Sequence, residues 1–382
     1  MFGSASFFTN LLIKMEHYNH LVSWTKYFGF NTYELKVRKG GSIEWAWSRS
    51  GITLSLAFLA GYIYFSAQVL NPNAVAPYAK SGSVLLDKGG EYMLLLAGFG
   101  MITTMQSRFY LRNTLVKIIQ QFLTVDKKMA SLGMEIDFGS ELRMARFGLG
   151  SSLIFITFSI LLGVYAMYLL GNFPVGFFVY GGQIVVSFSG SVLANNSYMM
   201  YFKTYRRIRV LNENLRYEKS SKNLIENYNG FISEIALIFD DLYTLTNDIS
   251  WMTLTEAIIY CIIVVMYGIE TLFAAYRVIL TGKFESFVSS GMHMIWWTEY
   301  CLGLLTVLVS SHLVKHEALD TQELLAAAMV SEKDELVRKK MAALVMQIRH
   351  NTPRITSWLF SLNLTMLGSV FTFLFIMIQF DN

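Results

Sequence analysis

The 382-residue chain predicts an all-α membrane protein of seven transmembrane helices, with a cytosolic N-terminus and an extracellular C-terminus. Three observations predict it. The composition is 54% hydrophobic and only 15% charged, against about 25% charged in soluble domains, and the mean hydropathy is +0.42. Seven stretches are apolar enough to cross about 30 Å of hydrocarbon, which takes about 20 residues. Lys and Arg are also divided very unevenly between alternate connections, as cytosolic flanks require.

Taken in order, residues 1–50 read as a cytosolic segment, because they lack the basic start and small-residue cleavage site of a signal peptide. The spans follow at 51–70, 92–107, 147–170, 175–201, 251–276, 291–313 and 355–380. The second is short and begins among Gly89, Gly90 and Glu91. Residues 314–354 form a cytosolic segment between the sixth and seventh spans, and residues 355–382 carry the last helix. Cys261 and Cys301 both fall inside spans, where each serves as a small hydrophobe.

Orientation follows from the basic residues. With the N-terminus inside, only Lys80, Lys88, Arg277 and Lys283 of the 31 Lys and Arg lie outside. A G-protein-coupled receptor has the opposite orientation, so the charge pattern argues against that class. The net charge of +4 reflects attraction to the anionic inner leaflet. No nucleic-acid partner is implied.

The three inner connections are long and read as helices. From Leu224, the series Tyr228, Phe231, Ile235, Ile238, Leu242 and Leu245 recurs at intervals of four and three, an apolar stripe along one helix face. Residues 321–346 are patterned similarly, and Asn351-Thr352-Pro353 interrupts them because proline disfavours helical geometry at the residue before it. The stripes pack either within the chain or against other subunits. All four prolines (Pro72, Pro77, Pro174, Pro353) avoid the spans, unlike the broken helices that build transporter sites.

The chain closes Thr372-Phe373-Leu374-Phe375-Ile376-Met377-Ile378-Gln379-Phe380, followed by Asp381 and Asn382. Helical spacing aligns Gln379 with Ile376, Thr372 and Ser369 on one face. In a ring of copies, Ile376 would make an apolar constriction and Gln379 would offer amide oxygens to a cation. Asp381 would add carboxylates at the mouth, and Phe380 would cap the constriction. Alternatively, Gln379 marks the polar edge of a helix interface.

This ending resembles the Thr-Tyr, five apolar residues, Gln-Phe signature of insect gustatory receptors, a family related to odorant receptors, with Phe373 in place of the usual Tyr. Residues 346–369 also resemble that family's last segment. The resemblance implies a ligand-gated non-selective cation channel, a homotetramer or a heterotetramer with related subunits, in the plasma membrane of sensory neurons. It implies a ligand-binding unit over residues 51–313, a tetrameric anchor built from the cytosolic helices, and a pore on residues 355–382 gated by Gln379, Phe380 and Ile376. In that family an acidic residue after the Thr-Tyr pair goes with sugars. Leu374 here favours a bitter or other non-sugar tastant. A co-subunit that senses no ligand is the alternative, with a metabotropic receptor behind it.

Ionisable groups inside spans usually face protein or water. Glu256, Glu270 and Glu299 are the three candidates, and Glu256 lies near the inner end of its span, within reach of cytosolic water. Glu270 and Glu299 share the outer half of adjacent helices with Tyr267, Met294, Trp296, Trp297 and Tyr300, near Tyr165, Tyr168, Tyr180 and Tyr92. A small-molecule pocket is concave and apolar with a few placed polar groups. The ligand-binding candidates are therefore Trp297, Glu299, Glu270, Tyr267, Met294, Tyr165, Tyr168 and Tyr92, set against an interfacial aromatic belt as the other use of such rings. His312 and His316 share a helix face, but a zinc protease motif needs a Glu between its two His. No metal, cofactor or enzymatic activity is expected.

Overall fold

A computed structural model describes residues 23–37, 43–71, 84–169, 175–220, 228–282, 284–352 and 372. Its helices are α1 (Arg49–Val69), α2 (Val84–Tyr110), α3 (Arg112–Ser131), α4 (Phe138–Leu169), α5 (Val175–Ser220), α6 (Tyr228–Thr281), α7 (Phe284–Ser331) and α8 (Glu335–His350). Before them stands a hairpin of β1 (Tyr33–Val37) and β2 (Ile43–Trp47), paired antiparallel with Tyr33 opposite Trp47. The hairpin departs from the all-α expectation. Its cause is local: Tyr33, Leu35 and Val37 alternate with Glu34 and Lys36, a period of two that a helix cannot use. Arg112 lies over the rings of Trp45 and Trp47 at 5.1 and 5.7 Å and of Phe109 at 4.9 Å, fastening the hairpin where α2 meets α3.

Among the described residues, four helices are long and apolar enough to cross a membrane: Arg49–Val69, Phe138–Tyr165, Asn229–Tyr276 and His293–Ser331. Two further predicted spans lie on α2 and α5. Their polar groups, including Thr104 and Arg108 on α2 and Gln183, Ser187 and Asn196 on α5, are buried inside the bundle. The second span's helix begins at Val84, earlier than Gly89. The seventh span falls outside the described residues, apart from Thr372, which is helical and exposed.

Helices α5, α6 and α7 contain 46, 54 and 48 residues. At 1.5 Å per residue they run roughly 70–80 Å, more than twice a hydrocarbon core of about 30 Å. Parts of the long inner connections, read from the sequence as helices, are thus continuous with the spans. α5 and α7 pack most extensively, with α6 against α7 next and α4 against α5 after that. One end of this bundle gathers Arg108, Lys203 and Arg207; it is called the basic end below.

The stripe on α6 is used within the chain. Ile235, Ile238, Leu242 and Leu245 are fully buried, because α3 and α8 supply apolar faces against them. From α3 come Leu115, Ile118, Phe122 and Val125, and from α8 Val337, Met341, Leu344 and Ile348. Polar links flank the α3 seam, with Lys117 Nζ 2.8 Å from Asp248 and Lys128 Nζ 2.6 Å from Asp241. The patterned stretch over 321–346 is broken earlier than its proline: α7 stops at Ser331, and Asp334 caps α8 by accepting from Leu336 N at 2.8 Å.

Candidate functional site

The helix faces that meet in the bundle carry polar side chains at helical spacing, so the interior holds a column of buried hydrogen bonds. At the end remote from the basic groups, His293 Nε2 on α7 lies 3.1 Å from Glu270 Oε1 on α6. α2 approaches this pair through Gly89 and Gly90, and a Cβ at Gly90 would stand 3.1 Å from Glu270 Oε1. Glycine at that point lets three helices converge on one carboxylate.

Next along the axis is an aromatic cluster. Tyr180 on α5 and Trp296 on α7 have ring centroids 5.9 Å apart. Tyr267 on α6 meets Trp296 edge-on at 6.5 Å and Tyr300 at 5.4 Å. Gln183 Nε2 lies 3.3 Å from the Tyr300 hydroxyl and 3.3 Å from Ser187 Oγ. Tyr180 donates its hydroxyl to the Ser159 carbonyl of α4, entering a gap that exists because residue 163 is glycine. Trp297 Nε1 donates to the Val264 carbonyl at 3.0 Å, joining α7 to α6. Tyr62 of α1 donates to Ser189 Oγ at 2.8 Å.

Of the residues expected to bind a ligand, Tyr267, Glu270, Trp297 and Glu299 lie within the bundle. Tyr92, Tyr165, Tyr168 and Met294 point out of it, 65%, 60%, 76% and 49% exposed. The structure does not bring those four to the cluster; the three tyrosines have the exposure of belt residues. Sequence reasoning did not single out His293 or Gln183. The available signal was spacing, since His293, Trp296 and Tyr300 share one face of α7, and Tyr180, Gln183 and Ser187 one face of α5.

Glu299 lines a different space. A cleft of about 420 Å³ lies between α4, α5 and α7, walled by Phe147, Phe155, Tyr198, Leu302 and Asn195, among others, together with Glu299. Ser191 Oγ donates to Glu299 Oε1 at 3.0 Å. Glu299 lies 15 residues into α7, about 22 Å along its axis.

Toward the basic end the polar column becomes ionic. Glu256 does not face water: it is buried, pairs with Arg108 Nε of α2, and accepts from Ser197 Oγ of α5 at 2.9 Å. Beyond it, Arg207 of α5 holds Asp126 of α3 through Nε at 2.8 Å and Nη2 at 3.1 Å. Its Nη1 donates to Glu141 of α4 at 2.8 Å, and Lys203 Nζ reaches the same carboxylate at 2.7 Å. The four side chains balance two charges of each sign in a buried site. Burial pushes the Lys203 ammonium below its ordinary pKa, and Glu141 pulls it back up.

The bundle interior sets the hydroxyls of Ser191 and Ser197 against Glu299 and Glu256. It offers a closed aromatic cluster, a lateral acidic cleft, and ionic clamps that couple five helices. Residues 21–382 match the family model of the 7tm chemosensory receptors. The chain belongs to that family. It is a chemosensory receptor chain and not an enzyme. No curated protein matches it. Among solved structures, the receptor is similar to the insect olfactory receptor OR5 from Machilis hrabei, with a TM-score of 0.69 and 10% identity, covering 97% of this chain and 99% of that one. The same olfactory receptor in complex with eugenol gives a TM-score of 0.61 and 14% identity, covering 96% of this chain and all of that one. At such identities the likeness is one of fold. The receptor is a multi-pass membrane protein with a helical fold similar to that of this olfactory receptor.

Sequence-assigned gate residues Ser369, Ile376, Gln379, Phe380 and Asp381 lie outside the described residues. His312 and His316 have ring centroids 6.2 Å apart on α7, with His316 3.6 Å from Asp320.

Proposed function

We propose that this chain is a gustatory receptor subunit working as a ligand-gated non-selective cation channel, opened by a small-molecule tastant of the bitter or other non-sugar kind. Its working form is a tetramer, of this chain alone or with related subunits, in the plasma membrane of sensory neurons. The observation that carries the reading is the closing Thr372 to Phe380 segment, with Gln379 and Phe380 at its end, in a chain of the chemosensory receptor family.

The tastant would enter the aromatic cluster from the end remote from Arg207. There Tyr267, Trp296 and Tyr300 supply ring faces, and Glu270, His293 and Gln183 supply the few polar contacts that fix orientation. A ligand wedged between Tyr267 and Tyr300 separates α6 from α7, and it opens the channel only by binding more tightly to the separated state. Helix α8 packs on both α6 and α7 and leads into the last span, which gives that movement a route to Ile376 and Gln379.

The test is current recording from cells expressing this chain, over a panel of tastants, with Gln379→Ala in parallel. Ligand-evoked cation current that persists under G-protein block and changes ion selectivity in Gln379→Ala supports the reading. Current that needs a second receptor subunit would make this chain a co-subunit, and current abolished by G-protein block would make it metabotropic. Asp381→Asn at low ionic strength is expected to reduce cation conductance, as loss of a charged ring at a pore mouth does.

A further inference from the structure

Five acidic side chains are buried among the described residues; three of them face Lys or Arg, and a fourth faces His293. Asp126 and Glu141 share Arg207 and Lys203, Glu256 has Arg108, and Glu270 has His293. Glu299 differs: it is 7% exposed, its hydrogen-bond partners are the neutral hydroxyls of Ser191 and Ser187, and among the described residues no Lys, Arg or His pairs with it. A carboxylate in this setting is costly unless an opposite charge joins it.

It also lines the cleft between α4, α5 and α7. The volume of about 420 Å³ falls within the range of small-molecule sites, roughly 300–1,000 Å³. The walls are mainly apolar, with Phe147, Phe155, Tyr198 and Leu302 giving an aromatic and aliphatic bed for a hydrophobic body. Rings also attract cations through their faces. The cleft opens on the flank of the bundle, where Phe147 is 72% exposed and Ile154 and Leu161 continue an exposed apolar face of α4. In a multi-pass membrane protein such a face meets hydrocarbon, so a ligand reaches the cleft by partitioning through lipid.

We infer that this lateral cleft is a second small-molecule site, separate from the aromatic cluster, and that it takes a cationic amphiphile: an apolar body carrying a protonated amine that pairs with Glu299. The occupant supplies the positive charge that Lys or Arg gives Asp126, Glu141 and Glu256 and that no described residue gives Glu299. This inference rests on the cleft and its carboxylate alone, and stands whether or not the cluster binds a tastant.

The experiment is saturation binding of tritiated 4-phenylbutylamine to the full-length receptor in lipid nanodiscs at neutral pH, with empty nanodiscs as background. Competition by 4-phenylbutanol and 4-phenylbutyrate varies the head group on one apolar body. Saturable binding is expected, with the alcohol at least about tenfold weaker, as loss of one charge-assisted contact gives, and the acid weaker still. Glu299→Gln is expected to lose the preference for the amine. Ser151→Trp, which fills the cleft from α4 and leaves the Glu299 carboxylate in the sequence, is expected to abolish binding while thermal unfolding shows the variant folded. Equal affinity for alcohol and amine would overturn the assignment in favour of a neutral lipid. Absence of saturable binding, an unaltered amine preference in Glu299→Gln, or unaltered binding in Ser151→Trp would overturn the site itself. No channel current is needed, so failure here is distinguishable from failure of the gating reading.

Discussion

Arg207 and Asp126 form a two-pronged ion pair at 2.8 and 3.1 Å between α5 and α3, with both side chains removed from solvent. Arg207 Nη1 donates to Glu141 and to the Lys203 carbonyl, and the guanidinium lies 4.8 Å from the Phe122 ring centroid. The planar fork suits this work, since only guanidinium offers several donors in fixed directions. Three helices are therefore tied at one residue.

Removing that residue leaves Asp126 without its fork and Glu141 with Lys203 alone. Arg207→Ala is expected to destabilise the receptor by about 3–5 kcal/mol, the usual cost of breaking a buried pair from one side. Thermal unfolding followed by size-exclusion fluorescence in detergent checks it. Arg207→Lys should recover only part of the loss, because an ammonium cannot bridge both carboxylates with the same geometry.

Arg108 and Glu256 offer a second, separable test. Each single change, Arg108→Met or Glu256→Gln, strands a buried partner, whereas the double variant removes both charges together. The double variant is expected to be more stable than the sum of the singles predicts, by about 0.5–3 kcal/mol. Strict additivity in the same unfolding assay would show that the two groups do not interact.

Gly163 faces the ring of Tyr180, which occupies the volume a Cβ would need. Gly163→Ala is expected to push α4 from α5 and destabilise the fold by about 1–3 kcal/mol, as overpacking does. In a Tyr180→Ala background, Gly163→Ala should cost less than it does in the wild type, because the ring that it strikes is gone. The single variant with wild-type stability would contradict the contact.

Asp137, ahead of α4, is held below its ordinary pKa, first by the Ser140 backbone N–H at 3.1 Å and also by Arg143 at 3.6 Å, against a smaller opposing effect of desolvation. A carboxylate whose folded pKa is lowered contributes stability above its unfolded pKa of 3.8. That contribution disappears as pH falls through the lowered value. Asp137→Asn keeps a capping oxygen but should lose this acid-side dependence, measured as the unfolding temperature against pH from 6 down to about 3.

Some of the site was legible and some was not, for identifiable reasons. Tyr267, Glu270, Trp297 and Glu299 could be singled out because polar or aromatic groups inside a span are rare. Tyr92, Tyr165 and Tyr168 have the same composition and similar depth, yet they point away from the cluster, because which side of a helix meets a neighbour depends on packing. Glu256 was placed beside water on its distance from the end of a span; Arg108, 148 residues earlier, is what encloses it.

By itself the sequence determined that this is a helical membrane protein, because hydropathy accumulates over about 20 neighbouring residues, and it located the break after His350 through local proline geometry. Only the tertiary structure decided how the interior is wired. Arg207 with Asp126 and Arg108 with Glu256 join residues 81 and 148 positions apart. Pairing over such distances is fixed by which helix faces meet, and no local pattern encodes that. The same packing left Glu299 at the wall of a cleft with no Lys, Arg or His among the described residues paired to it, where its span alone marked it only as a costly residue.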